Sequence, residues 1–381
     1  MNKLNTSNVD VLFRPFPFGK VTLPNRIVMA PMTRGKSPGN VPGADVAAYY
    51  RRRAEGGVGL IITEGTAPGF KGAHGYPDVP SFYGEIPLAG WKRVVDEVHA
   101  AGGYIIPQIW HVGSVRKKGV GPIPDDPVVG PSAIMNPIHM GQGAPAEGAE
   151  IPEAMTRVDI KECVAAYAQA ARDAQKTGFD GVEIHGAHSY LIDQFFWEAT
   201  NQRTDEYGGD LRQRTRFAVE IIAAMRAAVT SDFPIVFRFS QWKQGDYTHK
   251  MAKNPGELNA LLAPLSAAGV DIFHCSTRRF NDPEFEGSGL NLAGWTRKLT
   301  GKPAISVGSV GLDHDFLGSF GGRDAHRADI TALIARMEGG EFDLVAVGRA
   351  LLSDPAWARK VRNGHQDDII EFSPEAMQEL M

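Results

Sequence analysis

The sequence predicts an α/β protein whose eight strands and connecting helices close into a (β/α)8 TIM barrel. Eight short, nearly continuous apolar runs recur along the 381 residues, and doubly buried parallel strands have this composition. Helix-like patterns separate the runs, and several of them end in glycine just before the next run. Eight such units fit a barrel of this length, and we expect residues 1–381 to form a single domain.

Each element has its own local signal. The predicted strands are Ile27–Ala30, Val58–Thr63, Tyr104–Ile109, Gly181–Ile184, Pro234–Phe239, Val270–His274, Pro303–Val307 and Phe342–Val347. Apolar residues at helical spacing predict helices over Trp91–Ala101, Asp159–Lys176, Arg212–Val229, Glu257–Ala268, Ala328–Met337 and Ala356–Asn363. Asp159 is suited to an N-cap. The glycines expected to tolerate a left-handed helix end are Gly102, Gly178, Gly269 and Gly339.

Three segments lie outside the repeat. Phe13–Val21 resembles an N-terminal hairpin that closes the bottom of the barrel. His111–Arg157 is long and rich in glycine and proline, so we expect a partly structured excursion after strand 3, over the mouth of the barrel. Arg278–Asn291 follows strand 6 and is a candidate second lid. The sequence leaves the conformations of residues 112–157 and 278–291 open.

A doubly wound sheet is the main alternative fold, since it also alternates strands with helices. It is disfavoured because no strand is followed by a dinucleotide-binding glycine loop. The glycines of Gly56–Leu60 precede their strand and fit an ordinary turn between helix and strand.

Composition narrows the class of protein. The net charge of -4 and a pI near 6.3 give no basic surplus for nucleic acid. There is neither an apolar run of membrane-spanning length nor an N-terminal signal-peptide core, so we expect a cytoplasmic protein without a membrane partner. Cys163 and Cys275 show no metal-binding spacing, so no metal site is predicted from them.

Candidate site residues follow the strands, because barrel enzymes carry their chemistry at the carboxyl ends of the strands. In strand order they are Pro31, Met32, Thr33, Gly65, Gln108, Trp110, His185, His188, Tyr190, Arg238, Gly308, Ser309, Gly348 and Arg349.

The loops after strands 7 and 8 point to phosphate. Barrels often bind phosphate there, glycine permits close approach of the backbone, and arginine supplies a cation. Gly308 and Gly348 occupy these positions, with Arg349 beside the second. One glycine turn alone would indicate an ordinary tight turn, but two turns at these strands favour a phosphate site.

Strand parity predicts a buried ion pair. Glu183 and His185 share one face of strand 4, and Arg238 lies on strand 5. A buried charge needs a partner. We therefore expect Glu183 to pair with an inward basic residue, Arg238 being the first choice.

Three further side chains suit a planar heterocycle. Gln108 offers a donor and an acceptor, Arg238 offers a cationic fork, and Thr33 adds a hydroxyl. Together with the phosphate loops and the histidine pair, they point to flavin mononucleotide (FMN).

The chain resembles the old yellow enzyme family of FMN-dependent ene-reductases over nearly its whole length. The matching segments are LPNRIVMAPMTR (Leu23–Arg34), LIITEGT (Leu60–Thr66), PQIWH (Pro107–His111), GVEIHGAHSYLIDQFFWEATNQRTDEYGGDLRQRTRF (Gly181–Phe217) and VAVGRALLSDP (Val345–Pro355). The fourth segment is long and specific. Ser189 departs from the glycine found in many relatives, which leaves Tyr190 in place but can alter the loop.

The resemblance implies a role for each candidate residue. His185 and His188 would bind the carbonyl oxygen or nitro group of an activated alkene, Tyr190 would protonate the α-carbon, and Trp110 would shape the substrate pocket. The residues implied to bind FMN are Pro31, Met32, Thr33, Gly65, Gln108, His185, Arg238, Gly308, Ser309, Gly348 and Arg349. The implied cycle is ping-pong, with NADPH or NADH as a transient reductant and a hydride passing from reduced FMN to the alkene.

Two alternatives stay open from the sequence. His185 and His188 with an acid are compatible with a metal-dependent barrel hydrolase. The second alternative lies within the family, as an enzyme that reduces nitrate esters or nitro compounds. The physiological substrate, the preference for NADH or NADPH, and the choice between monomer and homodimer cannot be predicted.

Overall fold

The computed structural model describes residues 9–140, 146, 148–320 and 325–381, and a closed barrel of eight parallel strands forms its centre. The strands in chain order are β1 (Phe16–Phe18), β2 (Val21–Leu23), β3 (Ile27–Met29), β4 (Leu60–Thr66), β5 (Ile105–Ile109), β6 (Val129–Gly130), β7 (Glu153–Ala154), β8 (Val182–His185), β9 (Ile235–Ser240), β10 (Ile272–Ser276), β11 (Ala304–Val307) and β12 (Leu344–Val347). The barrel runs β3-β4-β5-β8-β9-β10-β11-β12 and closes by pairing β12 with β3. The predicted fold class is confirmed.

Helices surround the barrel. Within the described residues they are α1 (Ala44–Glu55), α2 (Glu85–Ala100), α3 (Arg157–Thr177), α4 (Leu191–Phe196), α5 (Arg216–Ala228), α6 (Pro255–Ala268), α7 (Leu292–Thr300), α8 (Phe316–Phe320), α9 (Thr331–Glu338), α10 (Arg349–Ser353) and α11 (Trp357–Arg362). Short 3-10 helices cover Val9–Phe13, Pro38–Asn40, Gly113–Val115, Pro137–His139, Gln213–Thr215, Gln366–Asp368 and Pro374–Met377.

Alternation along the strands divides the core into two layers. Val28 and Ala30 belong to a cluster inside the barrel, whereas Ile27 and Met29 belong to the larger cluster between strands and helices. This division follows from the period of two along a strand.

The hairpin β1–β2 covers the amino-terminal end of the barrel, as predicted, although its strands extend two residues beyond the predicted segment to Leu23. Phe16 and Phe18 join the inner cluster. Gly19 turns the hairpin at a φ of 55°, and a Cβ there would lie 2.1 Å from the carbonyl oxygen of Asp232, just before β9. This contact requires glycine and fixes the hairpin under the barrel.

All eight predicted barrel strands are present, with ends displaced by up to three residues. The largest displacement is at β4, which continues through Glu64 and Gly65 to Thr66. Its register with β5 shifts between Ile62 and Gly65, which marks a bulge.

The six predicted helices are also present, but two details of their ends were wrong. Thr156, not Asp159, caps α3, and Asp159 accepts the return hydrogen bond of a capping box. At the end of α9, Gly339 is right-handed and Gly340 carries the positive φ of 69°. The predictions also missed α1, α4, α7, α8 and α10. In α1, the polar side chain of Arg53 lies on the buried face and interrupts the apolar pattern.

Candidate active site

A cavity of about 650 Å³ opens at the carboxyl ends of the barrel strands. It brings together all but one of the predicted residues, namely Pro31, Met32, Thr33, Gln108, Trp110, His185, His188, Tyr190, Arg238, Gly308, Ser309, Gly348 and Arg349. The exception is Gly65, which pairs with Gln108 across the β4–β5 bulge. A Cβ at Gly65 would lie 2.3 Å from the ring of Trp110, so glycine lets that ring lie flat against the strand.

The sequence did not identify several residues that complete the walls. They are Tyr76, Trp242, Gln244, Tyr247, Phe316 and Met377. Trp242 and Tyr247 lie in the segment between β9 and α6, so position after a strand was the signal available for them. Trp242 stacks on His188 with ring centroids 4.4 Å apart.

In its described parts, the excursion after β5 does not form the expected cover over the mouth. Within its described parts, 112–140, 146 and 148–157, none of its residues lines the cavity. Val112, Val115 and Ile138 instead pack behind Trp110 and Tyr190. Residues 278–291 were the proposed second lid, and of these Arg278 alone lines the cavity. The excursion therefore acts on the site from behind, through the two aromatic rings.

His185 is held as a neutral hydrogen-bond donor. Burial lowers its pKa well below the usual value, and the charge of Arg238 acts in the same direction. Its Nδ1 accepts from the backbone N–H of Ala187 at 3.3 Å, so the ring proton lies on Nε2. Trp110 stacks along the ring with centroids 5.9 Å apart.

His188 is fixed by both its backbone and its ring. Its φ is 61°, and its N–H donates to Ser240 Oγ at 3.1 Å. Nε2 lies 2.7 Å from Ser276 Oγ, on the end of β10. Burial lowers the pKa of His188 well below the usual value, so this ring is also neutral.

A buried ion pair supports the turn that carries these residues. Ser189 also has a positive φ, 63°, and its N–H donates to Asp193 Oδ2 at 2.6 Å. Asp193 Oδ1 in turn accepts from Lys243 Nζ at 2.6 Å, with both side chains fully buried. The Ser189 hydroxyl accepts from the N–H of Gln244 at 3.1 Å. The serine that departs from many relatives thus ties the turn to the segment after β9.

Tyr190 presents its hydroxyl beside the two imidazoles. Its ring centroid lies 5.1 Å from that of His185 and 4.8 Å from that of Trp110. The hydroxyl lies 3.1 Å from the hydroxyl of Tyr76. Burial raises the pKa of Tyr190 well above its usual value, so the phenol keeps its proton.

Beneath the cavity, Glu183 is paired inside the barrel, but not with the predicted first choice. Gln108 Nε2 donates to its Oε1 at 2.7 Å, and His274 Nδ1 donates to its Oε2 at 2.7 Å. Arg238 stands opposite His185 rather than Glu183 in the β8–β9 register, which places it nearer the mouth. The inward basic partner is therefore His274.

Arg238 is left with hydrogen-bonding capacity at the cavity wall. Its Nη2 lies 3.4 Å from Ser276 Oγ, and its buried Nε has no partner among the described residues. Burial lowers its pKa and the Glu183 carboxylate opposes that shift, so the guanidinium stays charged. This is a buried cation with a free donor that faces a cavity.

The loops after β11 and β12 form the other end of the cavity. Gly308 has a φ of 133°, and a Cβ there would lie 2.7 Å from the backbone of Arg278. Arg349 is held over the end of the site because its Nη1 donates to the carbonyl of Asp315 at 3.0 Å. A backbone cradle and a fixed cation suit a phosphate group.

The donor set fits FMN better than a metal. Gln108 and Arg238 offer complementary groups to a heterocycle, and the opposite end offers a cation and close backbone approach. Within the part of the chain that the structure describes, no three His, Cys, Asp or Glu side chains are grouped to hold a metal ion. Likewise, no described helix is long and apolar enough to span a membrane.

Comparison with known proteins agrees with this geometry. Residues 11–368 match the model of the NADH:flavin oxidoreductase / NADH oxidase family. A 12-oxophytodienoate reductase 2 of Arabidopsis thaliana is 35% identical over 317 residues, 79% of this chain and 83% of that protein. A putative 12-oxophytodienoate reductase 2 of Oryza sativa subsp. japonica is 35% identical over 352 residues, 92% and 86% of the two chains.

The solved structures give the same relationship. Morphinone reductase in complex with tetrahydroNAD superposes with a TM-score of 0.79 at 30% identity, over 96% of this chain and 93% of that one. The chain therefore belongs to the NADH:flavin oxidoreductase / NADH oxidase family, the family of old yellow enzyme, and is an NAD(P)H-dependent flavin oxidoreductase that uses FMN.

Proposed function

We propose that the protein is an ene-reductase that reduces the activated C=C bond of α,β-unsaturated carbonyl or nitro compounds in a ping-pong cycle. The observation that carries the proposal is the grouping of two neutral imidazoles with a protonated phenol at one cavity. The ring centroids of His185 and His188 are 5.0 Å apart, and Tyr190 lies 5.1 Å from His185. The named relatives reduce 12-oxophytodienoate and morphinone, which supports a carbonyl-activated alkene as substrate.

The two histidines act on the substrate oxygen. Negative charge develops there as the β-carbon accepts a hydride, and preorganised donors stabilise it. The Nε2–H of His185 is available for this role because Nδ1 is already an acceptor. One such donor is worth roughly 3–4 kcal/mol in the transition state.

Tyr190 supplies the proton to the α-carbon. An ordinary phenol has a pKa of about 10, and burial raises that of Tyr190 further, so it transfers its proton only to a strongly basic carbon. The O–H bond breaks as the new C–H bond forms.

Bound FMN would supply the hydride after its reduction by NADH or NADPH. Gln108 and Arg238 would hold its pyrimidine edge, Thr33 would bond the carbonyl near its reactive nitrogen, and His185 would line it. Pro31, Met32 and Gly65 would complete the walls of the flavin site. Gly308, Ser309, Gly348 and Arg349 would hold the phosphate. Trp110 would bound the substrate pocket, and the whole chain would act as one domain.

The test is a visible spectrum followed by two anaerobic additions. We expect a yellow protein that bleaches with NADPH and regains its colour with 2-cyclohexenone. Bleaching without recovery would show that the protein does not reduce the enone, and nitro compounds or nitrate esters would be tested next. A colourless protein that does not take up FMN would contradict the proposal.

A further inference from the structure

Tyr190 is poorly placed to recover the proton that it donates. Its side chain is 8% exposed, and it packs in a small apolar cluster with Val79, Trp110 and Val112. That exposure is to the cavity, where bound reactants would exclude water. Each turnover nevertheless leaves Tyr190 as a phenolate, and while a reactant fills the cavity the proton has to come from a neighbouring side chain.

The residues around Tyr190 offer one titratable hydrogen-bond partner. The hydroxyl of Tyr76 lies 3.1 Å from that of Tyr190. Gln244 also contacts the hydroxyl, but an amide neither gives nor takes a proton readily. His185 touches the edge of the ring and, in the proposed reaction, donates to the substrate oxygen.

Tyr76 links this buried hydroxyl to solvent. It lies in the loop after β4, lines the cavity, and is followed by exposed Pro77 and Asp78. Its ring stacks on Trp110 with centroids 5.5 Å apart at 21°, which holds the hydroxyl against Tyr190. A stacked, partly exposed phenol in contact with a buried one forms a two-step path for a proton.

We propose that Tyr76 is a catalytic proton relay that reprotonates Tyr190 after each turnover, an inference that rests on the proposed ene-reductase function. Tyr190 gives its proton to the α-carbon and keeps the electron pair on oxygen. The Tyr76 O–H bond then breaks as the Tyr190 O–H bond re-forms. Tyr76 finally takes a proton from water at the mouth, so one solvent proton is consumed for each alkene reduced.

The energetics allow the transfer in this direction. Two phenols have matched ordinary pKa values, so the exchange is close to balanced. Burial raises the pKa of both phenols. The contact of 3.1 Å between the two hydroxyl oxygens gives the proton a direct path from Tyr76 to Tyr190.

The experiment compares a first turnover with a second in the FMN-loaded Tyr76→Phe protein. The enzyme is reduced with one equivalent of NADPH, reoxidised by 2-cyclohexenone, then reduced and reoxidised again after a variable delay. The first reoxidation, in which Tyr190 starts protonated, serves as the reference rate within each protein. The delay needed to recover that rate should lengthen at least about tenfold.

Tyr83→Phe is the matched control, since it removes one hydroxyl from the same loop away from the cavity. This variant should behave as the parent. When a nitroalkene replaces the enone, the rate of the second reoxidation should no longer depend on the delay in any of the three proteins. Recovery in Tyr76→Phe as fast as in the parent would overturn the relay. If the enone fails to reoxidise even the parent, the proposed function itself falls and the relay with it.

Discussion

Glu183 on β8 and His274 on β10 meet inside the barrel across the intervening strand β9, with 2.7 Å between Oε2 and Nδ1. The other carboxylate oxygen accepts from Gln108 Nε2. This bond uses one N–H of the Gln108 amide, so its second N–H and its oxygen remain for a ligand. The buried carboxylate below the cavity thus fixes the orientation of the Gln108 amide.

The first prediction concerns a variant that lacks the charge of Glu183. Glu183→Gln places an amide N–H₂ against Gln108 or His274, both of which donate to the carboxylate. We expect a loss of about 1–3 kcal/mol in unfolding free energy and weaker FMN binding, because a buried donor loses its acceptor. Denaturant unfolding and FMN titration of the apoprotein measure the two effects. Glu162→Gln on the exposed face of α3 should change neither, and an unchanged FMN affinity in Glu183→Gln would contradict the role of Gln108.

The second prediction concerns the ion pair below the histidine turn. Asp193→Asn leaves the fully buried Lys243 ammonium without its counter-charge. Breaking such a pair from one side costs about 3–5 kcal/mol. Urea unfolding should show this, whereas Asp96→Asn, which breaks the exposed pair with Lys92, should cost less than about 1 kcal/mol. Equal costs for the two variants would show that the buried pair is not a support for the turn.

The third prediction is a pH dependence of stability. Burial raises the pKa of Glu64 to about 7, although hydrogen bonds from the N–H groups of Arg34 and Gly35 act to lower it. The folded protein therefore binds more protons than the unfolded chain between roughly pH 4.5 and 7, and the contribution of Glu64 falls as the pH rises through this window.

Glu64→Gln removes this titration. Relative to the parent, its unfolding free energy should rise by up to roughly 3 kcal/mol between about pH 5 and pH 8. Parallel unfolding curves at several pH values measure the difference. Glu162→Gln should show no such trend, and a flat difference for Glu64→Gln would mean that the carboxyl titrates normally.

The fourth prediction tests the contact between Gly65 and Trp110. Gly65→Ala puts a methyl group 2.3 Å from the indole, which must move away from Tyr76 and His185. Overpacking of this kind costs about 1–3 kcal/mol. We expect lower stability and altered tryptophan fluorescence. Gly289→Ala, with open space around the added methyl, is the control, and normal fluorescence in Gly65→Ala would refute the close contact.

The fifth prediction separates proton transfer from hydride transfer. Tyr190→Phe removes the proton donor and leaves His185 and His188 in place. Reoxidation by 2-cyclohexenone should slow by about 10²–10⁴-fold, the usual contribution of a general acid. Reoxidation by a nitroalkene should change little, because its anion persists in water. Equal losses with both oxidants would assign Tyr190 to binding rather than to protonation.

Which residues gather at the site could be predicted, because strand ends in a barrel point to a common place. The order of apolar runs located His185, Gln108 and Arg238 at one mouth without any contact being known. Pairing inside the barrel could not be predicted in the same way. The sequence gives each strand's inward face, but the stagger between strands decides whether Glu183 meets Arg238 or His274, and stagger is set by packing around the whole ring.

By itself the sequence determined the barrel, the two glycine loops and the histidine–tyrosine turn, since these depend on periodicity and on residue type at strand ends. The tertiary structure alone decided that Tyr76, Trp242 and Phe316 close the cavity and that the excursion after β5 packs behind it. Loops of this kind take their course from contacts distant in sequence, such as those of Tyr76 with Trp110 and Tyr190. No local pattern encodes such contacts, because their free energy depends on the neighbours that the fold supplies.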